Sequence, residues 1–404
     1  MKIVFAATQS LAGSTMIGRV LPLARYFSRQ HHVTVLGLRA SGGRRASSTP
    51  GVDDETPGVF PARRSEPFFC VIGREPFQRT ANGKRRLRGL PLIINMLATA
   101  LRTAWQLQRL HPDCAIIVKT LPHNVLGAYL YKNILRGRAR IIADADDFEL
   151  MANAVTSLNQ RAAIHWAEHT AVALADAIVT ATPFLTDHFS QLAGNRPRSI
   201  IEIPTGLDPA LKQLALNYKF KPTLLYLGSL SVASGHRVDL LPDILAGVRQ
   251  RVPDAQLFIA GRGDDAQSLH REFSDRGLTS AVTWQAQFSP PDWPDLLSRG
   301  QVLIDPIDSS IVVRAKSSSR TLLAAAAGFP IVTSNIGIRP YFLPDALHER
   351  FFAAPGNIQM YIDKVIALLR QPLNDAERTA MRRRAQPYLW PNLSRRYLKL
   401  ITAA

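Results

Sequence analysis

The sequence predicts an α/β protein built from two doubly wound parallel-sheet domains. Three observations carry this. Short apolar runs alternate with helix-like segments almost throughout, the pattern of a parallel sheet covered by helices on both faces. That cycle occurs twice. The 404-residue chain is also too long for one ordinary core and suits two domains of roughly 200 residues.

The first cycle opens with the apolar run Ile3–Ala7, a loop containing Gly13 and Ser14, and a helical segment reaching about Arg29. The strand His32–Leu38 follows. Residues 39–90 break the rhythm with Gly42-Gly43, a Ser-Ser-Thr run, several prolines and many arginines, and read as an irregular basic insertion. A helix spans Leu92–Leu110, with Leu90, Ile93, Ile94, Leu97, Leu101, Trp105 and Leu107 available for an apolar face. Strands Ala115–Lys119, Arg140–Ala143, Ala177–Thr182 and Ile200–Ile203 complete the first half, with a long helix from Asn159 to Ala175. The second cycle runs through Thr223–Gly228, Gln256–Ala260, Val282–Gln285, Val302–Pro306 and Ile331–Thr333. Helices Gln359–Arg370 and Asp375–Tyr388, then Trp390 and a last short helix, close the chain. The expected division is residues 1–208, 209–385, and a C-terminal helix over 386–404 that returns to the first domain.

Composition narrows the class. Apolar residues make up 46% and charged residues 20%, a globular rather than disordered balance. Lys and Arg number 49 against 31 Asp and Glu, and the net charge of +18 favours an acidic partner such as a phosphorylated ligand or an anionic membrane. The five tryptophans form no stacking series, so nucleic acid is not expected. Cys70 and Cys114 define no disulfide framework or zinc site. The start reads as a strand rather than a signal peptide, and no run approaches the ~20 apolar residues of a bilayer span. A cytoplasmic setting is expected. Between Arg39 and Arg109, 13 basic residues face 5 acidic ones, a local charge of +8. The cluster Lys84-Arg85-Arg86-Leu87-Arg88 beside the Leu92–Leu110 helix reads either as a solvated loop beside a core helix or as a peripheral attachment to an anionic membrane.

Ligands of open α/β sheets bind at the C-terminal ends of strands, so chemistry is sought in the loops there. Arg314-Ala-Lys-Ser-Ser-Ser-Arg320 leads into the Ala-rich run ending at Gly328, then Phe-Pro-Ile-Val-Thr-Ser334. Ser317, Ser318 or Ser319 can cap a helix whose N–H groups, dipole and neighbouring Arg314, Lys316 and Arg320 suit a diphosphate. Asp144, Asp146 and Asp147 follow a first-half strand, where paired carboxylates can orient or deprotonate a hydroxyl group, or cap the helix that begins near Phe148. Lys119 and His123, with Gly13 and Ser14, are further acceptor-side candidates.

These pieces resemble, in order, the GT-B glycosyltransferases, and glycosyltransferase family 4 in particular. Asp176-Ala-Ile-Val-Thr180, Ile203-Pro-Thr-Gly-Leu-Asp208, Leu225-Tyr-Leu-Gly228, Gln256-Leu-Phe-Ile-Ala-Gly261-Arg-Gly263 and the Arg314–Ser334 run carry the likeness. The resemblance implies two Rossmann-like domains facing a cleft and a nucleoside diphosphate sugar as donor. It also implies a glycan or lipid-linked acceptor, in polysaccharide or glycoconjugate synthesis, and retention of anomeric configuration. No cofactor or metal is implied. Gly228, Ser229, Arg237, Gly261 and Arg262 would meet the donor, with Gln287 and Phe288 beside the base, while Asp264 and Asp265 read either as contacts to donor hydroxyls or as caps of the next helix. Two family features are absent. The paired glutamates eight residues apart fall at Ala315 and Leu323, and the arginine and lysine usual after Gly228 are missing, with Arg237 or Arg314 left to compensate.

Overall fold

The computed structural model describes residues 1–11, 13–39, 66–80, 83–152, 157–195, 199–209, 222–286, 288 and 292–402, the side chains at 8, 78–80 and 83–86 aside. The chain divides into two compact units, Met1–Thr205 with Trp390–Ala404, and Gly206–Leu389.

In the first unit the strands are β1 (Lys2–Ser10), β2 (His32–Arg39) and β3 (Phe68–Arg74), a separate hairpin of β4 (Phe77–Thr80) and β5 (Gly83–Arg86), then β6 (Cys114–Val118), β7 (Arg140–Ala145), β8 (Ala177–Thr180) and β9 (Ser199–Glu202). Seven of them form one parallel sheet in the order β3-β2-β1-β6-β7-β8-β9, with Ile3 opposite Val33 and Val4 opposite Ala115. The order reverses between β1 and β6, so the loops leaving those two strands diverge and open a crevice at the sheet's C-terminal edge. Strands buried on both faces read as unbroken apolar runs, and β6 is buried at every residue.

The irregular insertion expected over residues 39–90 is corrected for its second half. Phe68–Arg74 is an edge strand paired with β2, with one register shift between Gly37 and Leu38, and a hairpin follows it. Residues 40–65 lie outside the described set. The helix expected over Leu92–Leu110 begins at Gly89, and its apolar residues divide differently from the expectation. Leu92, Thr99, Ala100, Thr103, Ala104 and Leu107 are buried, whereas Leu90, Ile93, Ile94, Leu97, Leu101 and Trp105 are exposed.

The second unit carries β10 (Thr223–Leu227), β11 (Gln256–Ala260), β12 (Val282–Gln285), β13 (Val302–Ile304) and β14 (Ile331–Val332), all parallel, in the order β12-β11-β10-β13-β14. Here the reversal falls between β10 and β13. The same doubly wound plan therefore recurs, with the Ala-rich helix Ser319–Ala327 buried nearly throughout because its alanines let it lie close to the sheet.

One buried ionic knot holds the first unit. Arg19, in the helical turn Met16–Val20, forks onto Asp144 of β7 at 2.7 Å and donates to the Ile203 carbonyl at 2.9 Å. The Tyr397 hydroxyl, on the C-terminal helix Trp390–Thr402, donates to the same carboxylate at 3.1 Å. Arg19 and Asp144 are each 1% exposed. Burial would discharge Arg19, but the Asp144 carboxylate more than offsets this and raises its pKa. Losing one partner of such a pair leaves the other buried and uncompensated, which costs far more than replacing both. Arg19→Met should therefore lower the urea-unfolding free energy by about 3–5 kcal/mol, while the double variant Arg19→Met/Asp144→Leu recovers much of the loss.

Candidate functional site

In the second unit the loops after β10, β13 and β14 converge on Asp305, which directly follows β13. Its carboxylate is fully buried and accepts from Arg320, from Arg339 at 3.1 Å and from Thr333 at 3.3 Å. Burial alone would raise its pKa. The Arg320 and Arg339 guanidiniums outweigh that and hold it at about 2, so the carboxylate stays charged. Arg320 also donates to the Leu227 carbonyl at the end of β10, and its guanidinium lies 4.3 Å from the centre of the Tyr226 ring. The Tyr226 hydroxyl donates to the Ser229 carbonyl at 2.6 Å, fixing the turn beyond the strand.

That turn requires glycine. A Cβ at Gly228 would fall 2.2 Å from Arg320 Nη2, and one at Gly261 only 1.8 Å from the Gly228 carbonyl oxygen. The loops after β10 and β11 are thus pressed backbone to backbone, with Leu230 N–H donating to the Arg262 carbonyl at 3.0 Å. Asp265 is committed to this packing, since its carboxylate accepts from the Val232 N–H at 2.7 Å.

Beside them stands the N-terminus of the Ser319–Ala327 helix. Ser318, not Ser317, is its N-cap and accepts from the Thr321 N–H at 3.4 Å, while Ser319 is its first residue. Lys316 donates to the Ser234 carbonyl at 2.9 Å, drawing the loop after β10 towards the helix. Arg314 sits on a short helix, Ile311–Ala315, rather than in the expected loop, and its side chain is exposed. Arg320 corrects another expectation. Its guanidinium belongs to Asp305, Leu227 and Tyr226, so it shapes the site from below and is not available as a direct phosphate clamp. Arg237 forks onto Asp239 at 2.7 Å. Ser229 and Arg262 are exposed at the loop surface, Phe288 packs against the unit's core, and Gln287 lies outside the described residues.

Arg339, Asp305 and His236 complete this centre, and the sequence alone did not mark them. His236 follows the Gly228 turn, and its Nδ1 is buried without a hydrogen-bond partner among the described residues. Burial, then the nearby Arg320 charge, lower its pKa to about 3, with Lys316 and Arg339 acting the same way. The ring is neutral, and the surroundings are cationic: Arg320, Arg339 and Lys316 against Asp305 leave 3 − 1 = +2. Such a surplus beside a capped helix N-terminus is the electrostatics of an anion site.

In the first unit, the structure joins the loops after β1, β6 and β7. Lys119 Nζ lies 3.2 Å from Glu149, 3.3 Å from Asp147 and 3.4 Å from Asp146. The Thr15 hydroxyl donates to Asp146 at 2.9 Å, which brings the Gly13-Ser14 loop alongside, with Ser14 exposed. Burial would lower the Lys119 pKa, but Asp146, Glu149 and Asp147 more than offset it and raise it well above the usual value. Lys119 is therefore a fixed cation rather than a proton carrier. The acidic trio is corrected in one member. Asp144 is consumed by Arg19 and Tyr397 beneath the surface and cannot meet an acceptor. Asp146 is 8% exposed, and Asp147, at 24%, is the most open carboxylate of the group. His123 is buried on the helix Pro122–Tyr129.

Residues 221–371 match the family "Glycosyl transferases group 1". The second unit carries a group 1 glycosyltransferase domain. The whole chain is similar in structure to sucrose-phosphate synthase from Thermosynechococcus elongatus, with a TM-score of 0.70, 15% identity and full coverage of both chains. Anabaena HepE, solved in complex with UDP and glucose, matches equally well at TM-score 0.70, 15% identity and full coverage. WaaG, a glycosyltransferase involved in lipopolysaccharide biosynthesis, follows at 0.65, 15% and full coverage of both. The fold is GT-B. No curated protein is significantly similar in sequence. The two positions at which the sequence resemblance expects glutamates are apolar and buried, Ala315 at 1% and Leu323 at 2% exposure.

The neutral His236 gives a pH dependence with a definite sign. Its native pKa of about 3 lies below the unfolded value of 6.5. Between these values the unfolded chain binds more protons, so there is no penalty above pH 6.5 and a growing one as pH falls towards 3. Urea unfolding at pH 7 and pH 5 should show the native protein losing on the order of 1–2 kcal/mol more than His236→Asn.

Proposed function

We propose that this glycosyltransferase moves a sugar from a nucleoside diphosphate sugar to a hydroxyl of a glycan or lipid-linked acceptor, in cytoplasmic synthesis of a polysaccharide or glycoconjugate. The observation that carries the donor assignment is the cationic centre at the point where the second sheet reverses its strand order. The diphosphate meets the N-terminus of the Ser319–Ala327 helix, with Lys316 and Arg314 on its outer side. Helix N–H groups and basic side chains suffice to stabilise the departing diphosphate, so the proposal invokes no metal. Uridine diphosphate is the first ligand to test, since HepE was solved with UDP and with UDP-glucose.

The acceptor belongs with the acidic edge of the first unit. Asp147 is the carboxylate proposed to take or orient the hydroxyl proton, while Asp146, held by Thr15 and Lys119, positions the loop. The buried Ala315 and Leu323 favour a second reading, in which the protein binds a nucleotide or glycan without transferring sugar. Turnover separates the two readings.

Two variants should divide binding from chemistry. Arg314→Gln/Lys316→Gln should weaken UDP binding in calorimetry by roughly 1.5–3 kcal/mol for each charged hydrogen bond removed, with the apo melting temperature as a control for folding. Asp147→Asn should leave UDP affinity intact and lower transfer by ~10²–10⁴-fold. Unchanged UDP affinity in the first variant would remove Arg314 and Lys316 from the donor site. Normal turnover in the second would leave Asp147 a loop residue.

A further inference from the structure

The helix Gly89–Leu110 has three sides rather than two. At about 100° per residue, Leu92, Thr99, Ala100, Thr103, Ala104 and Leu107 cover one side. These are the buried residues, several of them small, and the helix rests through them on β3 and the helix Pro122–Tyr129. Leu90, Ile93, Ile94, Leu97, Leu101 and Trp105 cover an adjoining arc about 120° wide, in which the small Ala104 is the one buried residue, and each of the six is 47–67% exposed. Single exposed apolar side chains are ordinary, but six in one stripe running ~22 Å along a helix form a contiguous patch. The adjoining segment Leu130–Ile134 packs against this helix, and Ile134 and Leu135 add two more exposed apolar side chains.

Charge identifies the occupant. From Arg88 to Ala143 there are eight Lys and Arg residues and one acidic residue, Asp113. Arg88, Arg102, Arg109, Arg136 and Arg138 are exposed, and the Arg109 guanidinium lies 5.5 Å from the Trp105 ring centre. Arg102 and Arg109 fall on the sector flanking the apolar arc, at the level where a helix lying in a bilayer interface meets the headgroups. A protein partner would need a matching apolar groove with an acidic rim. A lipid bilayer with anionic headgroups offers both features on any patch of its surface.

We propose that this face seats the protein on an anionic membrane, with the Gly89–Leu110 helix lying in the plane of the interface. The helix does not cross the bilayer, and no helix among the described residues is long and apolar enough to do so. The placement is independent of the sugar-transfer reading. If that reading holds, it also brings a lipid-linked acceptor within the same two-dimensional surface.

Flotation of the full chain with phosphatidylcholine vesicles, and with vesicles of equal parts phosphatidylcholine and phosphatidylglycerol, tests the proposal. The protein should float with the anionic vesicles only, and raising the salt should weaken binding several-fold. Leu97→Glu/Leu101→Glu should weaken it at least ~tenfold, since two anchors leave the apolar phase and two anions enter the headgroups. The melting temperature of this variant should not fall, because both residues already face solvent. UDP affinity, measured on the same samples, should be unchanged, which separates this surface from the donor site. Absence of flotation, or equal flotation of the native chain and the variant, would overturn the proposal. So would light scattering that finds a native dimer converted to a monomer by the same substitutions, which would make the face a contact between two copies.

Discussion

The loops at the C-terminal edge of the second sheet depend on one buried carboxylate. Asp305 stands where the second sheet reverses its strand order, and it fixes Arg320 and Arg339 in a core that would otherwise reject both charges. Arg320 in turn supports the Leu227 carbonyl and blocks any side chain at Gly228. The floor of the loop, the approach of β10 to β11 and the start of the Ala-rich helix are therefore linked through a single negative charge. Because the two guanidiniums keep Asp305 ionised, this arrangement persists across the physiological range. The remaining cationic surplus lies beside the helix N-terminus, where the proposed diphosphate would sit.

The first unit uses a related device with the opposite outcome. Asp144 is neutralised from below by Arg19, and Tyr397 ties the C-terminal helix to the same carboxylate. Around Lys119, however, three carboxylates gather, and 1 − 3 leaves the edge at −2. An acidic edge suits neutral hydroxyl groups, which need acceptors for their protons, and repels phosphate. A cationic edge does the reverse. The two edges thus carry opposite charge, as the proposed donor and acceptor roles require, and in each a buried ion pair lies beneath the loops.

Much of the fold was legible because parallel strands buried on both faces leave continuous apolar runs, and β10 and β11 are found within a residue of where their runs predict. The edge strand Phe68–Arg74 was hidden by its neighbours, since the charges and prolines on either side dominate any window that contains it. The Gly89–Leu110 helix shows a different limit. Periodicity finds its large apolar residues but cannot tell which side faces the core, and here the core side is built from threonine and alanine. The candidate site was legible where its residues sit in one segment, as with the Ser318 cap and the neighbouring Lys316. It was not legible where partners are distant in sequence. Arg19 lies 125 residues from Asp144, and Tyr397 lies 253 beyond it, so nothing in the local run of acids marked Asp144 as structural. Asp305 did carry a signal, a charged residue directly after a buried strand.

Amide hydrogen exchange on the intact protein, with and without saturating UDP, tests the central claim most directly. A nucleotide held by the Asp305-centred loops should slow exchange at Gly228–Ser231 and over Lys316–Thr321, at the turn and helix N-terminus proposed to meet the diphosphate. Protection confined to the first unit, with those two segments unchanged, would contradict the account.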